Sequence, residues 1–287
     1  MPADWSTPIL QNREAVMWYV FIGVFLFVGI VETYFPQTAN SQPQARRWLL
    51  HGFLYGLSSV LTQLLFRTGG VALAQLMNGT AWGSAQHQAI PFPIHFAIGI
   101  LAMDAARYLV HWLMHRVPAL WRVHAVHHSD CDFDLTTGLR FHPLEALLVV
   151  VFTYAAIITF AVPISAVFVY ELLAMQQGLL SHANASLPPR LEPLVSRFWV
   201  TPNFHRLHHM REQRFQRANL GVLFPWWDHI FRTFQRLTPA DDRRMGLDEV
   251  DAATSLSLSH VLGMPFRAKL KTDTSARTES AAVHPRG

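Results

Sequence analysis

Ten of the sixteen histidines in this 287-residue chain lie between His111 and His209, and eight of those ten fall into three short motifs. The motifs are HWLMH (His111, His115), HAVHH (His124, His127, His128) and HRLHH (His205, His208, His209). The first spaces its rings four residues apart, and the other two place them at i, i+3 and i+4. These are neighbouring positions on one helix face. A neutral imidazole offers one nitrogen lone pair to a metal ion. Eight rings exceed the needs of one four-coordinate site, so the pattern predicts two ions.

Further candidates sit close by in sequence. His142 (in LRFHPLE) and His182 (in LLSHAN) fall where the chain enters and leaves a long apolar region, and both are candidate ligands. Asp104, Arg107 and His111 line one side of an apolar helix. Asp104 is therefore either Arg107's ion-pair partner or the acceptor that fixes a ligand ring's tautomer. Glu145, one turn after His142, is a candidate carboxylate behind a ligand ring, or a charge complement to a helix start. Asp228, within NLGVLFPWWDHIFRTF, is a third such carboxylate, amid aromatics suited to packing and to the membrane interface. His51, His87, His95, His229, His260 and His284 belong to no motif and are read as ordinary hydrogen-bonded or surface rings. The single cysteine, Cys131, rules out an intramolecular disulfide framework and argues against a thiolate metal centre.

Composition supplies the setting. Apolar residues make up 51% and charged residues 15%, with a mean hydropathy of +0.19, which is membrane-like. Apolar stretches run over residues 16–35, 48–66 and 92–112, each near the length of a bilayer-spanning helix. A fourth, 144–180, is too long for one span; Pro163 divides it, and a helical hairpin turning there is expected over one kinked, tilted helix. The first stretch reads as an anchor rather than a signal peptide, for no small-residue cleavage site follows it. Pro118 should end the HWLMH helix and start the HAVHH helix. Thr201 and Pro202 look like an N-cap and first residue, which puts His205 one turn into a fresh helix.

Arginines outnumber lysines 21 to 2 and flank the apolar stretches. They are read as headgroup partners and topology signals and not as a nucleic-acid footprint. Arg46 and Arg47, then Arg116, Arg122 and Arg140, put the histidine motifs in the cytoplasm if the N-terminus is outside, with Arg67 alone on the far side. The expected fold is thus an all-α integral membrane helical bundle with a cytoplasmic histidine-rich cap, in the inner membrane if the chain is bacterial. Residues 1–91 form an N-terminal region of two spans, 92–237 the histidine domain, and 238–287 a polar, partly disordered tail. On these residues alone a membrane zinc hydrolase, a metal transporter and a haem carrier stay open. The first lacks an HExxH motif, the second would set its ligands deeper in the bilayer, and the third leaves most rings unexplained.

The pieces DAARYLVHWLMH, RVHAVHHS, LRFHPLE, SHAN, HRLHH and NLGVLFPWWDHIFRTF, in this order, resemble the fatty acid hydroxylase superfamily of membrane di-iron oxygenases, to which sterol desaturases belong. The likeness covers residues 92–234, about half the chain, and departs at Arg232, where the family pattern has glycine. It implies two iron ions held by the histidine clusters, dioxygen as co-substrate, and hydroxylation or desaturation of an unactivated lipid C–H bond. No segment resembles a cytochrome b5, flavin or ferredoxin module. The electron donor is therefore expected to be a separate partner: cytochrome b5-like, a ferredoxin or a reductase.

Overall fold

The computed structural model of the chain describes residues 10–66, 69–238 and 241–267, and those residues are helical with no strand beyond one isolated bridge, Met210 to Met245. The Arg67 of the topology argument and residues 268–287 of the expected tail lie outside the described residues. Two long helices come first, α1 (Arg13–Tyr34) and α2 (Gln44–Phe66). Two short ones, α3 (Gly70–Asn78) and α4 (Ala81–Ala89), follow. Then come α5 (Phe92–Arg116), α6 (Pro118–His128), a 3-10 turn (Leu135–Leu139), α7 (Pro143–Phe160) and α8 (Ile164–Ser181). Among the described residues, five helices are long and apolar enough to cross a membrane. Large apolar side chains such as Leu26, Phe27, Ile30, Leu64 and Leu65 are exposed on α1 and α2, as lipid-facing surfaces require.

Local chemistry sets the breaks. Val117 closes α5, and Pro118 opens α6 at a position where its missing N–H costs nothing. The long apolar region is a hairpin: α7 ends at Ala161 in the left-handed conformation (φ 44°), and Pro163 caps α8. That turn packs on α5 at Gly99, where a Cβ would come within 2.6 Å of Val162 Cγ1. Met103, Ile157, Val162, Ala166 and Val167 form the core there.

The opposite ends of the long helices meet in a polar cap. The Glu32 carboxylate, at the end of α1, accepts from the backbone N–H of Leu135 and Asn184. Asp132 accepts from the N–H groups of Ser41 and Gln42, just before α2. Two arginines expected at lipid headgroups are instead buried here. Arg47 pairs with Asp130 at 2.7 Å and with Asp134, and all three side chains are shielded from solvent. Arg140 donates to the carbonyls of Val126 (2.8 Å) and Ser255 (2.9 Å) and contacts His51, which is itself held by Thr136. Sequence misplaced both, because flanking an apolar stretch is equally compatible with pairing inside a cap. Residues 241–267 join the same cap: Leu247, Val250, Val261 and Met264 pack on Leu50, Leu54, Ala125 and Val126.

Candidate metal centre

Nine histidines converge in the cap. His111 and His115 come from the last turns of α5, and His124, His127 and His128 from α6. His182 follows α8, and α10 (Pro202–His208) carries His205 and His208, with His209 as its C-cap. A short helix, α9 (Glu192–Val195), lies between them. The Thr201 hydroxyl accepts from Phe204 N–H at 3.2 Å, the N-cap that the sequence suggests, and so starts α10 in the right register. The rings form two buried sets. His111, His115, His124, His128 and His208 make one, and His127, His182, His205 and His209 the other; within each set the candidate donor atoms lie within 4.8 Å of one another. The sets share a wall, where His128 and His209 stack with centroids 4.5 Å apart.

The hydrogen bonds behind the rings fix their tautomers. The Nδ1 atoms of His111 and His208 face the carbonyls of Leu220 and Ala218, both at 2.8 Å. His127 Nδ1 faces the Arg140 carbonyl at 3.2 Å and His182 Nδ1 the Gly178 carbonyl at 2.7 Å. His124 Nδ1 faces Glu145 Oε1 at 2.7 Å. A carbonyl or carboxylate oxygen only accepts, so each of these rings carries its proton on Nδ1. Burial holds the rings neutral: it lowers His124 to about 3 and His182 to about 4, and keeps His127 and His208 well below the ordinary histidine value.

Neutral rings protonated at Nδ1 have a bare lone pair at Nε2, and these lone pairs point at one another. His111 Nε2 lies 3.1 Å from His208 Nε2, and His182 Nε2 lies 3.2 Å from His127 Nε2. With no proton between them such pairs are repulsive, and a cation between them removes the conflict. The spacing suits one: nitrogens about 2.0–2.1 Å from a metal are roughly 3.0 Å apart at a right angle and roughly 3.4 Å apart in a tetrahedron. Three further ring atoms, His115 Nε2, His128 Nδ1 and His205 Nδ1, are buried with no partner. The donor set therefore fits two metal ions, one in each group of rings.

Three of the sequence's candidates stand elsewhere. His142 joins neither set: its Nδ1 accepts from Leu144 N–H to cap α7, and its Nε2 faces the Leu262 carbonyl at 3.3 Å. Asp104 neither pairs with Arg107 nor receives a ring proton. It accepts from Trp227 Nε1 (2.8 Å), the N–H groups of Leu223 and Phe224, and the Tyr170 hydroxyl. Asp228 touches no ring of the two sets, and accepts instead from the N–H groups of Leu220 and Gly221 (both 2.8 Å) and from Thr233. Both aspartates thus hold the 219–228 loop, which presents the Leu220 carbonyl to His111. Glu145 does lie behind a ring, and its second oxygen, Oε2, is buried without a partner. Sequence reasoning missed the backbone carbonyls, for which no residue type is a signal. It also missed Phe141, stacked on His127 with centroids 5.0 Å apart, although Phe141 adjoins the His142 it singled out.

A cavity of about 510 Å³ opens between α1, α2, α7 and α8. Its wall includes Glu145, Phe141 and Gly178, each in direct contact with a ring of the centre, and then apolar side chains such as Phe21, Val149, Val150 and Met175.

Residues 96–233, the stretch that carries all nine rings, match the fatty acid hydroxylase family. The chain belongs to the fatty acid hydroxylase superfamily. It is similar to an alkylglycerol monooxygenase of Caenorhabditis elegans, with 24% identity over 80% of this chain and 43% of the relative. It is also similar to the ornithine lipid hydroxylase OlsE of Rhizobium tropici, with 28% identity over 50% of this chain and 43% of the relative. A Delta(7)-sterol-C5(6)-desaturase of Nicotiana tabacum is 23% identical over 85% of this chain and 92% of its own length. The chain spans less than half the length of the first two. No solved structure matches it. These relatives are lipid hydroxylases and desaturases, and the five apolar helices mark this member of the superfamily as a membrane protein.

Proposed function

We propose that the chain is a membrane di-iron oxygenase that hydroxylates or desaturates an unactivated C–H bond of a lipid. The observation that carries this reading is the pairing of two buried sets of neutral imidazoles with an apolar cavity at their edge. His111, His115, His124, His128 and His208 would hold one ion, and His127, His182, His205 and His209 the other. Iron bound there would supply dioxygen activation. The protein's part is to orient five of the nine rings through their Nδ1 protons, to exclude water by burial, and to lay a hydrocarbon chain beside the centre. In the hydroxylation balance, one oxygen atom of O₂ enters the C–H bond. The other leaves as water with two electrons and two protons, the electrons coming from a separate donor protein. Exposed arginines on the cap segments, among them Arg116, Arg197 and Arg214, support a cytoplasmic position for the cap.

Metal analysis of the purified protein tests the centre, and comparative lipid profiling of cells with and without the chain tests the reaction. About two irons per chain, with a lipid gaining one oxygen or losing two hydrogens, is the expected result. Zinc or no metal, with lipid masses unchanged in cells that make the protein, overturns it.

A further inference from the structure

Arg107 is a cation in a membrane-spanning helix that, among the described residues, makes no hydrogen bond and no ion pair. It lies on α5 four residues before His111, about 6 Å along the helix axis from that residue. Among the described residues, no carboxylate comes within ion-pair distance of it and no group hydrogen-bonds to it. Asp104, one turn away, is occupied by four other donors. Arg107 is instead part of the wall of the 510 Å³ cavity. Neither carboxylate in that wall forms an ion pair with it: Glu145 feels Arg107 only at longer range and contacts His124 at 2.7 Å, and Glu171 lies against the Gly70 backbone.

An unpaired charge inside a membrane helix is costly, and such residues mark ligand pathways. The guanidinium presents a planar fork of donors that matches a carboxylate or a phosphate. The volume falls within the range of ligand cavities, and most of the remaining wall suits a hydrocarbon chain. Electrostatics points the same way. Neutral imidazoles bring no negative charge to bound cations, and among the described residues Glu145 is the one carboxylate in contact with either set of rings. An anion beside the centre is then favoured by the ions as well as by Arg107.

We propose that Arg107 anchors the anionic end of the lipid substrate, a carboxylate or phosphate oxygen, so that the carbons next to that end lie at the histidine centre. This rests on the oxygenase reading and narrows its substrate class to lipid anions oxidised near the headgroup and not far along the chain. The reaction keeps the balance given above: one oxygen atom enters a C–H bond near the anion, and the other leaves as water with two electrons from the separate donor and two protons.

Equilibrium binding of radiolabelled probes to the detergent-solubilised, metal-loaded protein tests the anchor without turnover. The probes are palmitate against methyl palmitate, and a lysophosphatidic acid against the corresponding monoacylglycerol. Wild-type protein should bind at least one anion about tenfold or more tightly than its uncharged counterpart. Which pair shows the preference identifies carboxylate or phosphate. R107Q should lose the preference while keeping metal content and thermal midpoint. R107K keeps the charge without the fork, and should bind the anion several-fold more weakly than wild type with the neutral probe unaffected. A wild-type protein without preference, or a preference that survives R107Q, overturns the proposal. If R107Q does not fold, R107K decides: unchanged anion affinity overturns it. Because binding is read directly, the anchor can fail while the metal and lipid-profiling results stand, and the reverse.

Discussion

Glu145→Leu separates a metal-orienting carboxylate from a merely buried one. In the wild type, Glu145 Oε1 accepts the His124 Nδ1 proton at 2.7 Å, with only 2% of the Glu145 side chain and 3% of the His124 side chain exposed. Loss of this hydrogen bond leaves a buried N–H with no acceptor, which costs about 1–3 kcal/mol. Each 1.4 kcal/mol is a factor of ten, so metal retention at the five-histidine site should fall about 10- to 100-fold. The four-histidine site has no contact with Glu145, so its affinity should change little. Purified wild type, E145L and E145Q would be dialysed against graded chelator and their metal per chain measured, with helical content checked by circular dichroism. E145L should lose about one of its two ions at chelator concentrations that leave wild type loaded. E145Q, which keeps an acceptor oxygen but loses the charge, should fall between them. If folded E145L holds both ions as tightly as wild type, the carboxylate is not orienting a ligand and the assignment of His124 fails with it.

Four further expectations probe separate parts of the structure. Gly138→Ala would place a Cβ 2.1 Å from the Gly178 carbonyl oxygen that accepts from His182, so chelator titration should show weaker retention at the four-histidine site, with a lower thermal midpoint; an unchanged midpoint and titration refute the close approach. His142→Ala should cost about 1 kcal/mol as a lost helix cap yet leave metal content at the wild-type level, because that ring joins neither set; loss of an ion would return His142 to the centre. Arg232 stands in the left-handed region (φ 59°) where the family pattern has glycine, so R232G should be neutral to stabilising by about 0.5 kcal/mol in thermal melts, and clear destabilisation contradicts this. Rings such as His124 (about 3) and His182 (about 4) stay neutral when folded but titrate at the ordinary 6.5 when unfolded. The unfolded chain then binds more protons below 6.5, and the metal-depleted protein should lose stability as pH falls from 6.5 towards 4, by up to about 1.4 kcal/mol per ring per pH unit; a thermal midpoint unchanged between pH 7.5 and 5.5 refutes it.

The sequence exposes the parts of this site that depend on residue type at fixed spacing. HWLMH, HAVHH and HRLHH are legible because a helix converts i, i+3 and i+4 into one face, and Pro118 and Pro202 mark where those helices begin. The hairpin at Pro163 is legible because 37 largely apolar positions exceed what one helix needs to cross a bilayer and a proline divides them. Burial of charge is not legible in the same way. Arg47 looks like a headgroup anchor until Asp130 and Asp134 are seen beside it, and those partners lie more than eighty residues away. His142 misleads for a related reason: its place at a membrane boundary suits a ligand, but the same place is a helix start, and its ring is spent on capping.

What no residue type could announce is the layer that fixes the tautomers. Four of the five Nδ1 partners are backbone carbonyls, from Leu220, Ala218, Gly178 and Arg140. A carbonyl becomes a useful acceptor only when its loop is held still, and this gives the misassigned aspartates their place. Asp228 binds two N–H groups of the 219–228 loop, and Asp104 reaches across from α5 to bind two more and the Trp227 indole. Each therefore acts on His111 through the backbone, at one remove from the ring that sequence spacing suggested it would touch. Substitution at either should blur ring orientation at the five-histidine site without deleting a ligand, a milder and more distributed loss than removal of Glu145.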